Sequence, residues 1–154
     1  MVDADKVRTM PAGRDVPANW EVIRIEKEQD IARARREARV LAEDLGFSPV
    51  TAMHVLIAVT ELATNLHIHA LPGGEVFLGE VREQDDIGIE IIAVDRGPGI
   101  NDIDLAMQDR YSTAGSMGCG LPAVKRLMDE FEISSRVDKG AGCGTTVTAR
   151  KLRR

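Results

Sequence analysis

Two runs rich in β-formers, Glu75 to Arg82 and Ile87 to Asp95, are separated by Asp85-Asp86 and read as a β-hairpin. A second hairpin is expected where Glu132 to Val137 and Cys143 to Ala149 flank Lys139-Gly140-Ala141-Gly142. Ahead of both, Trp20 to Glu26 brings Trp20, Val22, Ile23 and Ile25 together as a first strand. Strands that arrive largely in hairpins favour antiparallel pairing. The order strand, two helices, hairpin, loop, helix, hairpin therefore predicts an α/β (α+β) domain. It is a two-layer sandwich of a mixed, mainly antiparallel sheet with its helices on one face.

The helices carry their own signals. Asp30 can cap a helix whose Ile31, Ala34, Ala38, Leu41 and Leu45 recur at helical spacing up to Gly46, its arginines facing water. Ser48-Pro49 starts a second, which runs to about Ala70, before Leu71-Pro72-Gly73-Gly74. From Gly120 to Phe131 the pattern of Leu121, Val124, Leu127, Met128 and Phe131 predicts a third, with Pro122 in its first turn. Residues 1–18, with Pro11, Gly13 and Pro17 among charges, read as a flexible tail, and 19–154 as a single domain without internal repeats.

Composition narrows the function. The chain has 154 residues, 44% of them hydrophobic, enough for one sizeable core. Twenty-five acidic against 20 basic residues, a net charge of −5, argue against a nucleic-acid partner. The basic Arg150-Lys151-Leu152-Arg153-Arg154 reads as a solvated strand end. Met1 to Ala18 lacks the apolar run of a signal peptide, and no later segment is expected to span a bilayer. Cys119 and Cys143 form no Cys-x-x-Cys pair, so reduced thiols and a cytoplasmic location are expected.

Four segments can carry chemistry, although each alone has a plain reading as helix face, turn or strand. Glu61 and Asn65 lie four residues apart on one face of an unusually apolar helix, where a carboxylate can accept a proton and an amide oxygen can ligate Mg²⁺. In Asp95-Arg96-Gly97-Pro98-Gly99 an acid at a strand end can accept a hydrogen bond from an exocyclic amine such as that of adenine. Gly97 and Gly99 let the backbone approach the ring. Gly115-Ser116-Met117-Gly118-Cys119-Gly120-Leu121 leads into a helix and offers free N–H groups to phosphate. Part of that run fits a dinucleotide fingerprint, but no buried strand precedes it and too little chain follows for a βαβ sheet. In Gly142-Cys143-Gly144-Thr145-Thr146-Val147 only one threonine can face the pocket, and Thr145 is chosen.

In that order and spacing the four segments resemble the GHKL superfamily of ATPases, across Glu61 to Thr146. The resemblance implies the Bergerat ATP-binding fold. It implies Glu61 as general base, Asn65 as Mg²⁺ ligand, Asp95 as acceptor of the adenine amine, and Gly97 and Gly99 in the adenine loop. Gly115, Gly118 and Gly120, with Leu121, fall in the lid, and Thr145 near adenine. Closer similarity runs to the small anti-sigma-factor serine/threonine kinases, and among them to the RsbT-type switch kinases of the stressosome. It is carried by Asp30-Ile31-Ala32-Arg33-Ala34-Arg35, Leu45-Gly46-Phe47, Tyr111-Ser112-Thr113 and Gly120 to Phe131. This resemblance implies phosphorylation of STAS-domain proteins and, for such members, activation of a phosphatase. One departure concerns the γ-phosphate arginine of related anti-sigma factors. Ala114 and Gly115 hold its place here, leaving Arg110 as a substitute from farther off.

Other readings are a sequestering anti-sigma factor that uses ATP structurally, a detached histidine kinase, and a chaperone-type ATPase. A silent sequestering form would most simply lack Glu61, which is present. No acidic residue follows His54, His67 or His69, and no room remains for a second moving domain. From Ile100 to Met117 the sequence has little apolar surface beyond Ile103, Leu105 and Met107. This stretch is expected to order when nucleotide and partner are present, closing over the γ-phosphate.

Overall fold

Strands β2 (Gly74–Glu83) and β3 (Asp86–Asp95) pair antiparallel along their whole length, from Gly74 opposite Asp95 to Glu83 opposite Asp86. The turn is thus Gln84-Asp85, one residue earlier than expected, and Gln84 takes the left-handed φ of 56° that a two-residue hairpin turn needs. The structure is a computed structural model that describes residues 10–69, 73–97, 107, 120–136 and 144–154. Gly99, Arg110, Gly115, Gly118 and the expected lid over 100–117, Met107 apart, lie outside the described residues.

The remaining elements are β1 (Glu21–Ile25), α1 (Glu28–Asp44), α2 (Pro49–His69), α3 (Gly120–Leu127), β4 (Glu130–Arg136) and β5 (Gly144–Leu152). The five strands form one sheet in the order β1-β2-β3-β5-β4, and every neighbouring pair is antiparallel. The sheet is therefore antiparallel throughout rather than mixed. Two helices between β1 and β2 explain this at one edge, because a down-and-up helix pair returns the chain to the end of the sheet from which β1 departed.

Asp30 does cap α1, from the third helical position: Oδ2 accepts the N–H groups of Glu26 (2.9 Å) and Lys27 (2.8 Å). Those bonds, led by the one from Glu26, hold its carboxyl below the usual range. At α2 the Ser48 hydroxyl accepts from Thr51 N at 3.2 Å, ahead of Pro49. Helix α3 stops at Leu127, not at Phe131. Asp129 ends it by giving its N–H to the Arg150 carbonyl (2.9 Å) and accepting Leu152 N on Oδ2 (2.7 Å), so Phe131 already belongs to β4.

All three described α-helices cover one face. Ile23, Leu78, Ile91 and Val147 of the sheet meet Ala38, Val59, Leu62 and Val124 in a single core. The alanine stripe Ala34, Ala38 and Ala42 lets α1 lie close, while Arg33, Arg35, Arg36 and Arg39 face water. Contrary to expectation, one segment among the described residues, Pro49–Ile68, is long and apolar enough to cross a membrane. Its apolarity has a local cause, since α2 packs against α1, α3 and the sheet, burying Val55, Ala58, Val59, Leu62 and Leu66.

On the opposite face the structure differs from the expected tail. Met10, only 2% exposed, joins Trp20, Phe77 and Ile92 in a second cluster. The Trp20 ring lies where any side chain at Gly79 would stand, and its Nε1 donates to the Glu80 carbonyl at 3.2 Å. Arg14 approaches Glu90 at 3.6 Å. The segment from Met10 to Trp20 is thus a strap across β2 and β3.

Candidate functional site

The apolar helix α2 carries Glu61 and Asn65 one turn apart, both half-buried. The first residue of α3, Gly120, faces them: a Cβ there would lie 3.8 Å from both Oδ1 and Nδ2 of Asn65 and 4.0 Å from Glu61 Oε2. The amino end of α3, with its free N–H groups and positive dipole end, is therefore brought to a carboxylate and an amide. Burial pushes the Glu61 carboxyl above the ordinary glutamate range. A carboxylate so raised is a stronger base than one in water. Leu121, next in α3, is half-buried and packs on the helix-side core.

Asp95 sits where β3 ends. Its Oδ1 accepts the N–H of Gly97 (2.9 Å) and, across the sheet, that of Thr145 (3.1 Å). Among the described residues both backbone donors fall on Oδ1 and none falls on Oδ2. Thr145 shares the helix-side face of β5 with Val147 and Ala149, whereas Thr146 points to the other face. Its hydroxyl is 2.8 Å from that of Ser135, directly opposite on β4. Helix α2 reaches the same end of the sheet, because Leu66 packs at Gly74, the residue paired with Asp95. The structure thus groups Glu61, Asn65 and Gly120 at one place, and Asp95, Gly97 and Thr145 at another along the same helix end.

Gly144 makes the Asp95 contact possible. It has a φ of 141°, and a Cβ would overlap the Asp95 carbonyl and come within 3.0 Å of Arg96 Cα. Gly144→Ala is expected to destabilise the fold by about 1–3 kcal/mol and to weaken nucleotide binding as Thr145 N leaves Asp95. Urea unfolding measures the first and calorimetric titration the second. An unchanged unfolding midpoint would contradict the packing argument.

Ser135 was not legible as a site residue, because a serine in a strand carries no signal until the register sets it opposite Thr145. It also donates to the Gly144 carbonyl at 3.3 Å. Among the described residues no cluster of three or more His, Cys, Asp or Glu could hold a metal ion alone. Asn65 would offer one amide oxygen to a Mg²⁺ ion, a hard cation that also takes phosphate and water oxygens.

The model of the histidine kinase-like ATPase domain matches residues 24–151. The serine/threonine-protein kinase RsbT of Bacillus subtilis is 43% identical over 129 residues, which is 84% of this chain and 93% of that protein. The anti-sigma F factor of Caldanaerobacter subterraneus is 31% identical over 121 residues, 75% of this chain and 83% of its own. Among solved structures, the mycobacterial sensor histidine kinase MprB superposes with a TM-score of 0.54 at 19% identity, covering 87% of this chain and 97% of that one. The SiaB-SiaC complex from Pseudomonas aeruginosa gives 0.53 at 13% identity, over 86% and 89% of the two chains. Both are similar in fold.

Proposed function

The chain belongs to the histidine kinase-like ATPase domain family and is an RsbT-like serine/threonine kinase within it; on that premise we propose that it phosphorylates a hydroxyl of a STAS-domain partner. The observation that carries the reading is the meeting of Glu61 and Asn65 with the amino end of α3. A base, a Mg²⁺-ligating amide and a set of backbone donors then surround one point, as phosphoryl transfer requires.

In this reading Asp95 Oδ2 accepts the adenine amine, Gly97 and Gly99 lie against the ring, and Thr145 borders it. The phosphates run toward Gly115, Gly118 and Gly120, where N–H groups and the helix dipole favour negative charge. Asn65 would hold Mg²⁺, which neutralises phosphate charge when bound. Glu61 takes the proton from the partner's hydroxyl as that oxygen bonds the γ-phosphorus, the bond to the bridging oxygen breaks and ADP leaves. Residues 100–117 close over the site and exclude water, which favours a protein hydroxyl over hydrolysis. The chain then works in the cytoplasm as a partner-switching regulator, alternating between STAS-domain proteins and a phosphatase.

Incubation of the pure protein with γ-labelled ATP and purified STAS-domain proteins tests this. The expected result is label on a serine or threonine of a STAS-domain protein and very slow ATP hydrolysis without it. Vigorous partner-free hydrolysis with no transfer would replace the kinase reading by that of an ATPase.

A further inference from the structure

Among the described residues the outer face of the sheet is covered over only part of its width. The strap from Met10 to Trp20 lies on β2 and β3, and beyond it toward β4 opens a cavity of about 600 Å³. That volume falls within the usual range for a binding site. Three carboxylates, Glu90, Glu130 and Glu132, line it against two guanidinium groups, Arg14 and Arg150. Arg150 is already shared, at 3.1 Å from Glu90, 3.2 Å from Glu83 and 3.4 Å from Glu130. Three lining carboxylates against two guanidiniums leave one negative charge in excess, and Glu83, which shares Arg150 from outside the cavity, adds a second.

The central acid is the unusual one. Glu90 is 2% exposed and its Oε2 has no hydrogen-bond partner. A buried carboxylate oxygen without a donor is costly, and the site gains by supplying one. Arg150 engages Oε1, and among the described residues Arg14 alone comes within 4.0 Å of Oε2, standing at 3.6 Å with its side chain 54% exposed. It is a loose and displaceable counter-ion. Pro11 and Ile92 add apolar wall, which suits the methylene stem of a long cationic side chain better than a bare metal ion. The cavity also runs out to β4, the edge strand of the sheet, so an extended chain can reach it from outside.

We propose that this cavity is a docking site for a basic segment of a partner protein, whose arginine replaces Arg14 at Glu90 Oε2 and is flanked by Glu130 and Glu132. A guanidinium fits because its planar fork can serve two carboxylates together. The site lies on the sheet face opposite the nucleotide pocket and does not depend on the kinase reading.

The test is fluorescence anisotropy of the full chain with a short labelled peptide alternating arginine and alanine, with nucleotide affinity measured in parallel. Saturable, salt-sensitive binding is expected, weakened about tenfold in Glu130→Gln/Glu132→Gln and tightened on the order of threefold in Arg14→Ala, with nucleotide affinity unchanged in both. Arg24→Ala, on the far edge strand, is the control for net charge and is expected to leave binding unchanged. Equal tightening by Arg24→Ala, or equal affinity in the double glutamine variant, would overturn the proposal. Spermidine competing as well as the peptide would make this a small-cation site and overturn the docking of a protein segment.

Discussion

Asp95→Asn is expected to lower ATP affinity about a hundredfold while the domain stays folded. The fold survives because the bonds that described residues make to this side chain, from Gly97 N and Thr145 N, are both accepted by Oδ1, and an amide oxygen can accept both. What changes is the other arm. An NH₂ group replaces Oδ2 and meets the adenine amine donor to donor, so the charge-assisted bond is lost and a repulsive contact takes its place. A hydrogen bond to a charged group is worth about 1.5–3 kcal/mol, and an unsatisfied donor in a closed pocket adds to the loss. Isothermal titration with ATP, beside a thermal unfolding curve, separates affinity from folding. Undiminished affinity in a folded Asp95→Asn protein would remove Asp95 from the pocket and with it the adenine orientation.

What the sequence could and could not disclose follows from the distance over which each contact acts. The hairpin of β2 and β3 and the start of α2 at Ser48-Pro49 rest on neighbours, and both were readable, the turn to within one residue. The bond from Thr145 N to Asp95 joins residues 50 apart. Each motif could be found alone, but only the sheet order puts β5 beside β3. The end of α3 was misjudged for the same reason. Phe131 continues the helical spacing, yet Asp129 is drawn to Arg150 and Leu152 of β5, and these long-range bonds end the helix sooner. Met10 offered no signal at all. A lone methionine among charges reads as tail, and its burial beside Trp20 and Phe77 comes from an apolar sheet face that the described α-helices leave uncovered.

Glu61→Gln is expected to keep ATP binding near the wild-type level and to reduce phosphoryl transfer about 10²–10⁴-fold. The base acts on the attacking hydroxyl as the transition state forms, so its removal spares the ground state. Asn65→Ala is expected to lower binding as well as transfer, because the Mg²⁺ ligand serves both. The raised pKa of Glu61 adds a signature that a plain helix-face carboxylate would lack. Burial disfavours its ionised form, so the acid limb of the transfer rate is expected above the ordinary glutamate value of 4.5, and the limb is expected to vanish in the glutamine variant. The sign for stability runs the other way. A carboxyl whose pKa is raised by folding contributes stability below its unfolded pKa and loses it as pH rises through the folded one. Glutamine, neutral throughout, is therefore expected to leave the protein slightly more stable than wild type at neutral pH, a small gain because Glu61 is only half-buried. A variant that is stabler yet inactive is what a carboxylate held in place for chemistry predicts. Transfer at the wild-type rate by Glu61→Gln, with the acid limb unmoved, would make Glu61 an ordinary acid on a helix face.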